Sequence, residues 1–449
     1  MAWPASLNEY EKLVIRMDTP RVVIDNAVCP TATLVKVDSA RKHGILLEAV
    51  QVLTDLNISI EKAYISSDGR WFMDVFHVTD QFGRKLTDES VISYLEQSLE
   101  TEEDHHSRPI ASGEGFTVLE LTGADRPGLL SEVLAVLTDL GCGVVDAKVW
   151  THNGRIACLI SIHDELSGES IDYDSPRIRH MESRLLHVLK GDGGVYGARI
   201  VVSAATIAHP DRRLHQMMFA DRDYERTSPP LTTLSSSSPS ISVQNWIERG
   251  YSVVTVQCLD RPKLLFDVVC TLTDMEYVVF HGTIDIDGHI AHQEFYIRHK
   301  DGSPISSEAE RQRMVQCLQA AIERRSIKGQ RLELYMEDRP GLLSEVTRTL
   351  RENGLLVTRA DVSSKGDMTS SVFYVTDAAG QPAGPGVIDT VRQRIVPDCL
   401  IVEEQRPQFS RQEEREGAQG LGGVGIGLFY LGNLFWRNLY NLGLIKSFS

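Results

Sequence analysis

One fifteen-residue phrase occurs four times in this chain. It reads KHGILLEAVQVLTDL from Lys42, RPGLLSEVLAVLTDL from Arg126, RPKLLFDVVCTLTDM from Arg261 and RPGLLSEVTRTLREN from Arg339. Anchored on Gly44, Gly128, Lys263 and Gly341, each copy places an acidic residue eleven positions on, at Asp55, Asp139, Asp274 and Glu352. Thirty-four positions on, each places an apolar residue, at Val78, Ile162, Ile297 and Val375. Four segments holding two offsets without a gap are copies of one supersecondary unit.

Each copy carries the same pattern. An alternating apolar stretch comes first, for example Val118-Leu119-Glu120-Leu121, and reads as a strand. A helix follows. In copy two, Leu129, Leu130, Val133, Leu134, Leu137 and Leu140 fall on one of its faces. Two more strands are joined by turns such as Ser67-Asp68-Gly69, His152-Asn153-Gly154 and Asp287-Gly288. A weaker second helix closes the copy, as at Val91–Leu99 and Arg179–Leu189. The order βαββα lacks one strand of a βαββαβ sandwich. Even copies find it after the second helix, at Ala198–Val202 and Cys399–Val402. Odd copies have no such strand, but a matching one precedes each, at Pro20–Asn26 and Pro239–Asn245. Asn26 and Asn245 both stand eighteen residues before the anchor.

The predicted fold class is therefore α+β, tandem ferredoxin-like βαββαβ domains arranged as two side-by-side pairs. The expected domains are 20–100, 116–205, 239–325 and 330–405, with neighbours in sequence pairing as 20–205 and 239–405. A Ser/Pro-rich linker is expected over 206–238. A Gly-rich apolar tail occupies 406–449. Its apolar run Leu421–Trp436 supplies sixteen uncharged residues, short of the ~20 mainly apolar ones that a spanning helix needs. Docking on the repeats or on a partner is the preferred reading of the tail, and membrane-surface association is the alternative.

Composition narrows the function. Of 449 residues, 46 are basic and 62 acidic, a net charge of 46 − 62 = −16, which argues against binding nucleic acid. Seven scattered cysteines with no CxxC pair suit a reducing compartment, cytosolic or nuclear. Phosphate-loop, HExxH and GxSxG motifs are absent, and no cofactor or catalytic residue is expected. Gly420-Leu421-Gly422-Gly423-Val424-Gly425 matches GxGxxG in form only, since no βαβ unit can follow it. His105-His106 and the trio His289, His292 and His299 do not form a metal-binding spacing. Trp71, Phe72 and Phe76 read as packing residues.

The first strand of three copies ends in Asp125-Arg126-Pro127-Gly128, Asp260-Arg261-Pro262-Lys263 or Asp338-Arg339-Pro340-Gly341. Proline suits a first helical turn, glycine allows close backbone approach, and free N–H groups at a helix start favour a carboxylate. A nearby Asp could take an ammonium group. The same letters also make a good helix start with no ligand at all.

With these loops, βαββαβ repeats resemble ACT domains, the small-molecule regulatory modules of amino-acid metabolism. Four in tandem, with KVDSARKHGILLEAVQVLTDL, ISSDGRWFMDVFHVTD and the tail NLFWRNLYNLGL, resemble the plant ACT-domain-repeat (ACR) proteins. The resemblance implies a non-catalytic amino-acid-binding regulator. Glutamine is one candidate ligand, because related ACT pairs end the bacterial nitrogen-sensing uridylyltransferase. It places ligands at the strand-1/helix-1 loops between paired domains, at Asp125, Gly128, Asp338 and Gly341, and more loosely at Asp38 and Gly44. Copy three departs from the pattern, with Lys263 in place of glycine, and is expected to bind least well. A free amino acid, a second copy of the chain or a regulatory protein are the expected partners. A ligand-free scaffold for protein partners is the alternative function.

Overall fold

The structure is a computed structural model. It describes residues 21–40, 44–67, 71–100, 116–172, 174–191, 197–203, 207–225, 239–325, 329–395 and 400–403. The tail, the Ser-rich stretch 226–238, the His105-His106 pair and the turn at 68–70 lie outside them.

Copy one consists of β1 (Arg21–Asp25), β2 (Thr33–Ala40), α1 (Ile45–Asp55), β3 (Ser59–Ser67), β4 (Trp71–Thr79) and α2 (Glu89–Glu100). Copy two consists of β5 (Thr117–Ala124), α3 (Leu129–Asp139), β6 (Cys142–His152), β7 (Arg155–Asp164), α4 (Pro176–Lys190) and β8 (Arg199–Ser203). A further helix, α5 (Pro210–Ala220), comes before copy three. That copy is β9 (Ser240–Trp246), β10 (Tyr251–Leu259), α6 (Leu264–Asp274), β11 (Tyr277–Asp287), β12 (Ile290–His299) and α7 (Glu308–Arg324). Copy four is β13 (Gln330–Glu337), α8 (Leu342–Glu352), β14 (Leu356–Lys365), β15 (Met368–Thr376), α9 (Pro385–Ile395) and β16 (Leu400–Glu403).

The odd copies do take their edge strand from the N-terminal side. β1 pairs with β2 and β9 with β10, both antiparallel. The matched asparagines explain the shared spacing. Asn26 donates to the Leu86 carbonyl and accepts from Thr33 Oγ1, at 2.8 and 2.6 Å. Asn245 donates to Ile305 and accepts from Ser252 Oγ, at 2.8 and 2.9 Å. Each ties the borrowed strand to the loop before the second helix.

Neighbours in sequence do not pair. The chain divides into two compact units. One eight-stranded antiparallel sheet runs β1-β2-β4-β3-β11-β12-β10-β9 and joins copies one and three. The other runs β16-β13-β15-β14-β6-β7-β5-β8 and joins copies two and four. The expected pairing over 20–205 and 239–405 is therefore wrong. The physical reason lies in the joining strands. Lys62 stands opposite Asp285 and Lys148 opposite Asp361, with charged atoms at 3.4 and 3.7 Å. In the same register, pairing copy one with copy two would set Lys62 against Trp150 and Lys148 against Tyr64. Lys62 would lose its carboxylate, and Lys148 would keep only that of Asp211. Size follows the same logic, since Gly282 lies opposite Ile65, and a Cβ on it would come within 3.0 Å of that side chain.

The helices cover one face of each sheet, and the cores form there. Leu129, Val133 and Leu137 are buried in the second unit with Ile160 and Ile162 of β7. Phe72 and Phe76 are core residues of the first unit, whereas Trp71 is exposed. Part of the expected linker is structured. α5 packs Leu214, Met217 and Met218 on Trp150, Ala157 and Leu159, on the sheet face away from the other helices. Charged groups fasten it. Asp211 meets Lys148 at 2.8 Å and Arg325 at 3.1 Å. Asp223 accepts two bonds from Arg324, at 2.5 and 2.6 Å, and one contact from His152 at 3.1 Å. Arg213 grips Glu120 with two bonds of 2.6–2.7 Å.

Candidate functional site

Three of the repeated loops, those of copies two, three and four, form one kind of turn. The Leu129 N–H donates to the Arg126 carbonyl at 3.1 Å, Leu264 to Arg261 at 3.3 Å, and Leu342 to Arg339 at 3.0 Å. The third corner has positive φ in each: 83° at Gly128, 68° at Lys263 and 78° at Gly341. These are type II turns, with proline at the second corner and a left-handed residue at the third. Proline therefore precedes the helix rather than opening it. Gly44 is left-handed too, with φ 103°. Glycine is demanded first by the turn, and Lys263 holds a conformation costly for a side chain. All four helices start without a side-chain cap. Their first-turn N–H groups carry the positive end of the helix dipole.

The turn arginines brace the fold. Arg126 pairs with Glu132 at 2.5–2.8 Å and donates to the Val188 carbonyl at 3.1 Å. Arg261 pairs with buried Asp267 at 2.6 Å and donates to Ile322 at 2.9 Å. Arg339 pairs with Glu345. In the first two copies named, the arginine clamps the start of the first helix to the end of the second. An arginine and a carboxylate six positions apart are legible in the sequence, but the reading of these loops passed over them.

The aspartates divide. The backbone N–H of Asp125, Asp260 and Asp338 donates at 2.8 Å to Gly154, His289 and Asp367, tying the turn to the following hairpin. Burial pushes the Asp125 carboxyl up to about 6, against the effect of Arg126. Asp338 is exposed. Asp38 does not share their place. It lies within β2, opposite Met73, and pairs with Lys36 at 2.8 Å. The position matching Asp125 in copy one is Arg41, three residues before Gly44.

The first helices pack in pairs, α1 with α6 and α3 with α8. This brings each turn of the second unit against its partner copy's helix. A Cβ on Gly128 would clash with Cδ of Arg351, and one on Gly341 would stand 3.3 Å from Cγ2 of Thr138. Thr138 and Arg351 occupy the same repeat position, ten residues past the anchor. Thr54 and Thr273 fill it in the first unit, so arginine is the exception. By contrast, no described residue lies within 4 Å of where a Cβ would stand on Gly44.

The strand beside the first strand of each copy holds a position that the sequence pattern does not single out. Thirty residues past the anchor stand Asp74, Cys158, Gln293 and Ser371, which are 1%, 0%, 2% and 3% exposed. Each pairs across to the first strand, at Val37, Leu121, Val256 and Leu334. Both carboxylate oxygens of Asp74 and Oε1 of Gln293 have no hydrogen-bond partner among the described residues. Burial, with Asp38 adding to it, pushes the Asp74 carboxyl up to about 7. Cys158 is pushed well up by burial, and Asp125 lies close enough to add to the shift. Among the described residues no His, Cys, Asp and Glu cluster has a metal-binding arrangement. No described helix is long and apolar enough to cross a membrane.

Family models match all four copies. The model of the ACR family N-terminal ACT domain matches residues 28–106, and ACT domain models match 116–169 and 330–384. An ACR9-like, ACT-like domain model matches 240–329. Among curated proteins, the ACT domain-containing protein ACR8 of Arabidopsis thaliana is 59% identical over 452 residues, covering 100% of both chains. ACR4 of the same plant is 51% identical over 450 residues, covering 98% of both. ACR6 is 50% identical over 407 residues, covering 89% of this chain and 93% of its own. Four ACT copies in one fold, aligned end to end at such identity, make this chain a member of the plant ACT-domain-repeat family, whose modules are regulatory domains of the amino-acid-binding type.

Proposed function

We propose that the protein is a non-catalytic amino-acid sensor, holding a free amino acid at a strand-1/helix-1 turn between paired copies. The observation that carries this reading is the set of uncapped, left-handed helix starts at Gly44, Gly128, Lys263 and Gly341. An uncapped helix start suits a carboxylate, and an acidic group beside it suits an ammonium. Glutamine is the first candidate ligand. The work of the chain is then done in the cytosol or nucleus, through a second copy or a regulatory protein, and without nucleic acid.

A thermal-shift series with the free amino acids tests it. A ligand at 100 times its dissociation constant stabilises by about 2.7 kcal/mol and raises the melting point. No shift with any amino acid at millimolar concentration contradicts direct sensing. That result favours a second reading, a ligand-free scaffold. Its support is the side chain of Lys263 at one turn and that of Arg351 over another.

A further inference from the structure

We propose that the first unit is the ligand-holding half of the chain, and that Asp74 is its anchor for a ligand's ammonium group, with Gln293 as the neutral polar anchor in copy three. This rests on the sensor reading and adds which copies are occupied and through which atoms. It reverses the expectation that copies two and four carry the ligand and copy three binds least well.

The comparison is internal to the molecule. One repeat position, on the helix-facing side of the central strand, is filled by Asp74 and Gln293 in the first unit and by Cys158 and Ser371 in the second. A thiol and a small hydroxyl are cheap to bury. An aspartate with both oxygens unpartnered is not, because removing a charge from water without a counter-charge costs several kcal/mol. A protein interior that keeps an unpartnered polar oxygen at this position in both copies of one unit, charged at Asp74 and neutral at Gln293, has left polar atoms for something outside the chain to satisfy.

The position lies at the binding end of the copy. Ala40, four residues before Gly44, pairs with Trp71, three residues before Asp74. Among the described residues nothing lies within 4 Å of where a Cβ would stand on Gly44, whereas Arg351 stands over Gly128. The residues that correspond to Arg351 in the first unit, Thr54 and Thr273, are short and uncharged. The start of α1 carries no side-chain cap. A positive helix start and a buried carboxylate at one end of one copy are the two halves of a complement to a zwitterion: the ligand carboxylate meets the α1 N–H groups and its ammonium meets Asp74. At that position copies two and four carry a thiol and a hydroxyl, Cys158 and Ser371, and their acidic groups, Asp125 and Asp338, stand in the turn instead.

Calorimetric titration of the full chain with free amino acids tests this, comparing wild type with Asp74→Asn and Gln293→Ser. The expected result is that the amino acid binding wild type loses about 10- to 100-fold in affinity with Asp74→Asn, the range for removing a charged hydrogen-bond partner. Gln293→Ser weakens binding in the first unit as well. The ligand-free Asp74→Asn protein melts higher than wild type, so weaker binding cannot be put down to misfolding. An amino acid that binds wild type and Asp74→Asn equally well overturns the assignment and leaves the sensor reading standing. Wild type that binds no amino acid overturns both.

Discussion

Lys263 sits at the corner of a type II turn where the other copies have glycine, with φ 68°. A left-handed residue with a side chain costs about 1–2 kcal/mol. Lys263→Gly is therefore expected to stabilise the first unit by about 1 kcal/mol, less the added entropy of glycine in the unfolded chain. The urea midpoint of that unit's transition measures it; an unchanged or lower midpoint would mean that the lysine side chain's own contacts outweigh the strain. The residue chemistry of the loops was legible in the sequence, since Asp-Arg-Pro-Gly is a helix start and the turn lies where expected. Its cause was not. Glycine serves both close approach and positive φ, and only the backbone angle tells them apart. Asp38 misled through its spacing: it stands six residues before Gly44, where Asp125 stands three before Gly128, and β2 runs on to Ala40 and holds Asp38 inside the strand. Asp74 and Gln293 were hidden within apolar alternation, where a single polar letter does not disturb the pattern.

α5 shows how an element can be missed. Pro210 opens it, and Leu214, Met217 and Met218 form its buried side. Only three buried apolar residues in an eleven-residue helix, beside a Ser-rich stretch, left it looking like linker. Its partners are charged groups from distant parts of the second unit, and no window of sequence contains them. Leu214→Ala is expected to cost about 2–5 kcal/mol. Arg324→Ala leaves Asp223 buried without its main partner and is expected to cost about 3–5 kcal/mol. Loss of protection at 210–220 in hydrogen exchange reads both; retained protection would show that α5 is held by other contacts.

The same helix has a pH dependence. Burial alone would lower the His152 pKa, but Asp223 and Glu323 hold it above the usual imidazole value. A raised folded pKa means that protonated His152 stabilises the fold. That contribution is complete below the unfolded pKa of about 6.5 and is lost as pH rises through the folded value. Opening of α5, corrected for intrinsic exchange, should be easier at pH 8.5 than at pH 6. Opening independent of pH, or easier in acid, would contradict the assignment.

At the scale of the molecule, the chain alternates between units, with copies one and three in one sheet and two and four in the other. The repeats, their elements and the borrowed strands were legible because each is written in local periodicity. The partnership of copies was not, because every joining strand has the same apolar pattern, with Ala63, Ala147, Gly282 or Ala360 at its centre. Beside those small residues the copies differ, with Lys62 opposite Asp285 and Lys148 opposite Asp361. A short thiol cross-linker should join Tyr64→Cys to Thr283→Cys, which stand opposite each other. It should not join Tyr64→Cys to Lys148→Cys, and the opposite outcome would restore pairing by sequence order.

Amide hydrogen exchange on the full chain, with and without the amino acid that raises its melting point, is the most direct measurement of the whole account. New protection is predicted at 44–48 and 71–77, and at 261–267 and 290–297, with the corresponding segments of copies two and four little changed. Protection confined to copies two and four, or none at saturating ligand, would contradict it.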